Sequence, residues 1–198
     1  MLAKTAVADY PIHELIAGRW SPRAFADRPV EPEKLRSLFE AARWAASCFG
    51  DQPWSFLVAP SSDKPGFDKL ASCLMPGNSW AAKAPVLMLS VAANNFGHNN
   101  QPNRFGPHDV GLAMGTLSLQ AFSMGIFVHQ MGGFDAAKAR EVLAIPQTHA
   151  PMAMIALGYP GDPATLSEEL QKREAAPRQR KPQSQFVFGA AWGEAPQI

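Results

Sequence analysis

The segment from Asp109 to Met124 constrains the fold most, because it is apolar on nearly every side of a helix. Its apolar residues include Val110, Leu112, Ala113, Met114, Leu117, Leu119, Ala121 and Phe122. A helix without a polar face is buried, either in a core or between subunits. Gly111, Ala113 and Gly115 would let another backbone approach closely. Since 198 residues leave little room to enclose such a helix, we predict that it lies at a dimer interface.

Helical and strand-like patterns alternate along the rest of the chain. Apolar periodicity and capping residues predict further helices over 11–18, 31–46, 67–74, 136–143 and 166–175. Apolar runs predict strands over 54–59, 86–91, 126–128 and 151–157, of which 86–91 is apolar enough to be a covered central strand. The 166–175 helix is polar and is expected to be solvated or frayed. This alternation favours one layered α/β or α+β domain.

Charge and cysteine usage exclude several classes of function. The net charge of +1 gives no reason to expect a nucleic acid or a membrane as a partner. Cys48 and Cys73 form no CxxC pair, which suits a reducing compartment. No stretch approaches the roughly 20 apolar residues of a membrane span, and the N-terminus lacks an apolar core, so we expect a cytoplasmic protein. The five histidines never show metal-ligand spacing, so we expect no metal site.

Two irregular segments carry further expectations. Residues 93–108 are rich in Asn, Gly and Pro, and a connection of that length is typical of a functional lid or rim. The tail from Pro177 is first basic and then apolar. We therefore expect residues 177–198 to form either an added strand or an arm across a partner subunit.

The strongest chemical motif is Arg19-Trp20-Ser21-Pro22-Arg23, which sets two guanidiniums and a hydroxyl within five residues. Guanidinium groups suit phosphate, although such a loop on its own is more often solvated surface. No GxSxG, Walker or Rossmann motif is present, and no side chain is an obvious acid or base, which indicates a cofactor. His129 precedes a Gly132-Gly133 loop; a structural role is favoured over contact with a ligand.

Taken in order, the motifs resemble the FMN-dependent nitroreductase family over about residues 10–190. The resemblance rests on 19–25, on 41–47 with 52–56, on 109–113, on 133–135 and on 180–182. It implies a single α+β domain over 1–198, with a three-layer α-β-α fold. A central, mainly antiparallel sheet would be flanked by helices, and the C-terminal arm or strand would reach the partner subunit.

The resemblance also implies a flavin site at the interface of a homodimer. The first FMN-binding segment would comprise Arg19, Trp20, Ser21 and Arg23. There Arg19 and Ser21 would grip the phosphate and ribityl end, and Arg23 would reach the pyrimidine edge. The other subunit would contribute Ala46, Ser47, Cys48 and Gly50. Arg178 and Arg180 would form a C-terminal phosphate clamp.

The remaining implied contacts surround the flavin ring. Gln130, Met131, Gly132 and Gly133 would lie beside the isoalloxazine, with the Gly132 N–H meeting flavin N5. Asn78 would read the ring, with Lys83 as a rival for that role. The chain departs from the family at Ala46-Ser47-Cys48-Phe49-Gly50, where Pro-Ser-Ser followed by Asn is usual. It departs again at Gln130, where proline is common, and at Gly132, where many members have an acid.

The implied activity is reduction of an electron-poor small molecule, such as a nitroaromatic or quinone, by NADH or NADPH through FMN in a ping-pong mechanism. Two alternatives remain open. The first is a flavin-binding protein without reductase turnover, motivated by the departures in the 46–50 loop. The second is a same-fold enzyme that dehalogenates, fragments flavin or dehydrogenates, a choice that residues 93–108 would decide.

Overall fold

A four-stranded antiparallel sheet forms the centre of the structure, a computed structural model that describes residues 4–198. Its strands are β1 (Trp54–Pro60), β2 (Val86–Ala93), β3 (Phe127–Met131) and β4 (His149–Gly158), in the spatial order β1-β2-β4-β3. The helices are α1 (Glu14–Gly18), α2 (Pro32–Arg43), α3 (Lys64–Ala71), α4 (Gly106–Ser123), α5 (Ala136–Val142) and α6 (Glu168–Ala175). Four 3₁₀ segments add Cys48–Gly50, Pro76–Lys83, Pro163–Thr165 and Gln183–Gln185.

Strand β2 is covered on both faces, as its unbroken apolar sequence predicts. Alternate residues of a strand point to opposite faces, so Leu87 and Leu89 enter one core while Val86 and Met88 enter the other. The first core packs against α3, α5 and the 3₁₀ helix Pro76–Lys83, and the second against α2 and α4. The predicted three-layer α-β-α fold is thereby confirmed.

Helix α4 begins at Gly106, three residues before the predicted start, and one of its sides is buried by its own chain. Val110, Ala113 and Leu117 lie in the core beneath the sheet. The opposite side is open: a Cβ added at Gly111 or Gly115 would meet no atom within 4 Å, and Leu112 is 40% exposed. The sequence predicts that α4 is buried on all sides, but its own chain covers only one side. The side that bears Gly111 and Gly115 remains uncovered.

The strand predicted over 126–128 is too short, whereas the lid or rim expected over 93–108 stays a prediction. Strand β3 continues to Met131, so His129 and Gln130 lie in the sheet rather than in a loop. Residues 94–105 form a closed, hydrogen-bonded loop, since the Phe96 N–H donates to Gln101 O at 2.8 Å and the Asn103 N–H to Asn94 O at 2.7 Å. From Pro177 to Ile198 the chain contains no strand, so the tail does not extend its own sheet.

Within residues 4–198, no helix is both long enough and apolar enough to cross a bilayer. The longest, α4, has 18 residues and packs one face on the sheet.

The arginine-bearing segment is docked onto the end of β4 by backbone pairing. The Ala26 N–H donates to Tyr159 O, and the Gly161 N–H donates to Ala24 O, both at 2.9 Å. A Cβ on Gly161 would lie 2.4 Å from the backbone carbonyl of Phe25, so only glycine fits this close approach. Gly161 therefore allows the segment that bears Arg19 and Arg23 to lie against the end of β4.

We predict that Gly161→Ala destabilises the fold by about 1–3 kcal/mol, because the new methyl group would meet backbone atoms that cannot rotate away. Urea unfolding at neutral pH measures this loss. Gly77→Ala is the matched control, since a Cβ there meets no atom within 4 Å and should leave stability equal or slightly higher. Equal stabilities for the two variants would contradict the close approach at Gly161.

Candidate active site

The C-terminal region fastens both ends of the segment that carries the arginine motif. Arg178 Nη1 donates to Ala17 O at 2.7 Å and to Lys4 O at 2.8 Å. At the other end, the Glu174 carboxylate accepts the backbone N–H of Arg23 at 2.9 Å. Arg19 and Ser21 lie between these two attachments. Two residues four positions apart in the chain thus set the course of the whole motif.

The guanidiniums of Arg19, Arg178 and Arg180, from opposite ends of the chain, lie near enough for their charges to interact. Burial lowers the pKa of Arg19, and the nearby charge of Arg180 lowers it further. The pKa of Arg178 is likewise lowered by burial and then by Arg180 and Arg19. Within the described residues, none of the three forms an ion pair with a carboxylate. Such a cluster suits a multiply charged anion such as phosphate.

Trp20 and His129 hold the middle of the motif against the sheet. Trp20 is buried with its edge on Phe127, at a ring separation of 6.1 Å. His129 on β3 donates its Nδ1–H to the Pro22 carbonyl at 2.8 Å, and its ring packs against Trp80 at 4.7 Å. His129 therefore has the structural role that its sequence context favours, and Trp20 faces the core.

Arg23 differs from the cluster because its charge has a partner. Its Nη1 lies 3.6 Å from Oε2 of Glu174, and its side chain is 25% exposed. With Lys83 it lines a cleft of about 1150 Å³. Lys83 Nζ donates to Thr165 O at 3.3 Å. Glu174 is missed by sequence reasoning, because nothing in the polar α6 sequence distinguishes this buried acid from its solvated neighbours.

The glycine loop after β3 meets Asn78. The Asn78 side-chain amide donates to Gly133 O at 2.9 Å, and the Met75 N–H donates to the same carbonyl at 3.3 Å. Gly132 is exposed, and a Cβ there would meet no atom within 4 Å. Of the preceding strand residues, Gln130 is exposed and Met131 is buried. Backbone at Gly132 is thus open to a planar group from outside.

The segment 46–50 lies at the other end of α4. The Cys48 N–H donates to the buried Asp109 carboxylate at 3.0 Å, next to the first turn of that helix. Gly18, one residue before Arg19, instead packs on Phe122 in the last turn. Thirteen residues of helix, about 20 Å, separate Asp109 from Phe122. A single chain therefore does not bring segment 46–50 to the arginine cluster.

The remaining positions of that segment are open or locally bonded. Ser47 Oγ accepts the Gln52 N–H at 3.0 Å, while Ala46 and Gly50 are exposed. Phe49 has a φ of 56° and is exposed, with its ring 5.7 Å from that of Phe96. Loop 46–50 thus presents backbone and an aromatic side chain outward, next to the closed loop of residues 94–105.

Comparison with known proteins identifies the family. The family model described as the nitroreductase family matches residues 16–159, which include most of the motif segments and the whole sheet. The chain belongs to the nitroreductase family. Arg178 and Arg180 lie beyond the matched residues, and it is the structure that brings their charges near Arg19.

Individual relatives agree with this nitroreductase assignment. A Xanthomonas oryzae pv. oryzae protein provisionally named NADH dehydrogenase/NAD(P)H nitroreductase is 31% identical over 175 residues, 77% of this chain and 88% of that protein. An uncharacterized 15.4 kDa protein of Mycolicibacterium smegmatis is 35% identical over 127 residues, 64% of this chain and 84% of that protein. A crystal structure described as an oxidoreductase containing FMN is 31% identical, with a TM-score of 0.90, covering 98% of this chain and 99% of that one.

His129 makes the stability of this nitroreductase-family protein pH-dependent. Burial lowers its pKa from 6.5 to about 4, the Pro22 carbonyl opposes that change, and the charge of Arg23 adds to it. Between these two pKa values the unfolded chain binds a proton that the folded chain does not. The contribution of neutral His129 to the free energy of unfolding is therefore complete above about pH 6.5, and it is lost as the pH falls to about 4.

We predict that His129→Gln, which keeps an N–H donor without a titratable group, removes this pH dependence. The wild type should lose about 3 kcal/mol more stability than the variant between pH 7.5 and pH 4. Urea unfolding at several pH values measures the difference. His98→Gln, at a side chain that is half exposed, is the control and should keep the wild-type slope. Parallel curves for wild type and His129→Gln would contradict the assignment.

Proposed function

We propose that this protein is an FMN-dependent oxidoreductase that takes reducing equivalents from NADH or NADPH. The observation that carries the proposal is the cluster of Arg19, Arg178 and Arg180, whose charges interact and which form no ion pair with a carboxylate among residues 4–198. Further support comes from the relatives, one named as an NAD(P)H nitroreductase and one described as containing FMN.

The residues present fit this cofactor at both of its ends. The three guanidiniums match the charge and the hydrogen-bond geometry of the FMN phosphate. Open backbone at Gly132, beside an Asn78 amide already turned to that loop, suits the edge of a planar ring. In the proposal, the Gly132 N–H would donate to flavin N5, with the exposed Gln130 and the backbone of the buried Met131 beside the ring. Ser21 supports the ribityl chain, and Trp20 fixes the segment from the core side.

When bound, FMN would accept hydride from the nicotinamide and pass electrons to an electron-poor acceptor, in two half-reactions at one pocket. The protein residues bind and orient. The guanidiniums anchor the phosphate, and Arg23 places positive charge where negative charge grows on reduction. Lys83 reaches the same cleft as Arg23 from the 3₁₀ helix Pro76–Lys83. Nitroaromatics and quinones are the acceptor classes proposed.

We propose that the working form is a homodimer with one FMN site at each end of the interface. Two features of the chain support this. The open face of α4 offers Gly111 and Gly115 for close packing against a second copy. The 46–50 loop and the arginine cluster lie about 20 Å apart along α4, so a second chain is needed to place Ala46, Ser47, Cys48 and Gly50 at the flavin. The exposed 177–198 tail would extend over the partner.

The purified protein tests the proposed function directly. Its visible spectrum should show bound FMN, and mixing with NADH or NADPH without oxygen should bleach that flavin. A nitroaromatic or quinone added afterwards should restore the oxidised spectrum. A protein that takes up no FMN would reject the proposal. Bound flavin that neither nucleotide bleaches would instead identify a flavin-binding protein without reductase turnover.

We predict that Arg19→Ala and Arg180→Ala each weaken FMN binding by roughly 10- to 100-fold, because each removes a charge-assisted contact worth about 1.5–3 kcal/mol. Fluorescence titration of apoprotein with FMN measures the dissociation constant. Arg36→Ala is the control, since that side chain is 78% exposed on α2. Unchanged FMN affinity in both cluster variants would remove the phosphate assignment.

We predict that Gly115→Leu separates the dimer and lowers FMN content, while the chain itself stays folded. The new side chain meets open space within the chain, and leucine favours helix over glycine. Size-exclusion chromatography with light scattering measures the mass. Ala137→Leu adds a similar side chain at an exposed position of α5 and should remain dimeric. A fully dimeric, FMN-loaded Gly115→Leu would place the interface elsewhere.

A further inference from the structure

Glu174 is a buried acid whose contacts all serve the arginine motif or the chain's N-terminal residues. It lies on α6 and is 1% exposed. One carboxylate oxygen accepts the N–H of Arg23 at 2.9 Å and of Ala24 at 3.2 Å, and the other accepts the Arg23 N–H at 3.1 Å. Its backbone carbonyl accepts Lys4 Nζ at 2.7 Å. A buried carboxylate needs such donors, because burying an unpaired charge is strongly unfavourable.

The Arg23 side chain leads from this acid to the site. Its guanidinium carbon lies 6.0 Å from the centroid of the Trp80 ring, and its charge contributes to the lowered pKa of His129. Asn78, in the same 3₁₀ helix as Trp80, holds the Gly133 carbonyl. Arg23 therefore extends from Glu174 to the place where the Trp80 helix, β3 and the glycine loop meet.

Glu174 is also the carboxylate within a strongly basic region. Burial lowers the pKa of Lys4, the charge of Glu174 raises it, and the charges of Arg23 and Arg178 lower it further. The pKa of Arg178 is lowered by burial and then by the charges of Arg180 and Arg19. Lys4 and Arg23 thus lie next to Glu174, Arg178 connects Lys4 with Arg19 and Arg180, and the acid is hydrogen-bonded to the backbone of Arg23. The charge that Arg23 presents to a ligand is the difference between its own charge and the opposing charge of Glu174.

We propose that Glu174 is a positioning residue that fixes the backbone and guanidinium of Arg23 and, by partly offsetting its charge, sets the reduction potential of FMN. This inference rests on the proposed function. Reduced FMN is more negative than oxidised FMN, so positive charge nearby stabilises the reduced form more than the oxidised form. Removing the charge of Glu174 therefore favours reduction.

Glu174→Gln tests the proposal, because it keeps the shape and an acceptor oxygen while removing the charge. We expect reduced FMN to bind about tenfold more tightly relative to oxidised FMN, which raises the two-electron potential by about 30 mV. Redox titration with a reference dye measures the potential. Glu169→Gln is the matched control: it removes an acid of the same helix that pairs with Arg173 at 2.6 Å on the surface, and it should leave the potential unchanged.

Arg23→Gln is a second variant that does not depend on Glu174→Gln folding. It should lower the potential by a similar amount, because Glu174 then faces no guanidinium. In the Arg23→Gln background, adding Glu174→Gln should shift the potential by less than it does alone, because the part of its effect that acts through the position of the Arg23 guanidinium is then absent. The hydrogen bonds from the Arg23 and Ala24 backbone to Glu174 are tested separately in the apoprotein. There Glu174→Gln should speed hydrogen exchange at these two amides.

The outcomes separate the two levels of the proposal. Bound FMN with an unchanged potential in Glu174→Gln or in Arg23→Gln would overturn the role of Glu174 and leave the proposed function intact. An equal shift in Glu169→Gln would overturn it as well, because the effect would then be one of general charge. A wild type that binds no FMN would reject the proposed function and the tuning of its potential together.

Discussion

The contacts of Glu174 and Arg178 with residues 17–24 are the interaction on which the rest of the site depends. Each joins parts of the chain more than 150 residues apart. The closure entropy of such a loop grows only slowly with its length, and the two charge-assisted contacts close it together with the backbone pairing of Ala24 and Ala26. Once closed, the loop holds Arg19 beside Arg178 and Arg180 despite their mutual repulsion. The pKa of Arg19 and that of Arg178 are lowered first by burial and then by neighbouring guanidinium charges, and a bound anion would offset those charges.

Helix α4 gives this arrangement its second constraint. One face packs on the sheet, and the first and last turns carry different parts of the candidate site. The helix is too long for a single chain to join those parts, since Asp109 and Phe122 are about 20 Å apart. Two copies packed through the Gly111 and Gly115 face would bring opposite ends together. Assembly and cofactor binding would then be one event, because neither half-site is complete alone.

The parts of the fold that the sequence predicts are those that local patterns determine. The buried alternation of β2 and the length of α4 follow from residues near one another in the chain. Strand order does not, because it depends on pairing between β2 and β4, some 60 residues apart. The burial of Glu174 likewise cannot be predicted from neighbouring residues. The sequence of α6 predicts a solvated helix, and the donors that allow Glu174 to be buried are the backbone N–H groups of Arg23 and Ala24. The nearby glycines predict a loop at His129, but this residue lies in β3 because it pairs with Ala156 of β4, which is distant in the chain.

The two arginines of the motif illustrate what the three-dimensional structure adds to the family resemblance. By local pattern alone, Arg19 and Arg23 flank one serine equally, and only the resemblance gives them different roles. In the fold, Arg19 joins two other cations, whereas Arg23 faces a buried carboxylate. An uncompensated cluster matches a phosphate, whose charge is permanent. A compensated guanidinium matches a ring whose charge changes with oxidation state, since too much fixed positive charge would trap the reduced form. The proposed site thus needs both kinds of arginine, and a single buried acid makes the difference between them.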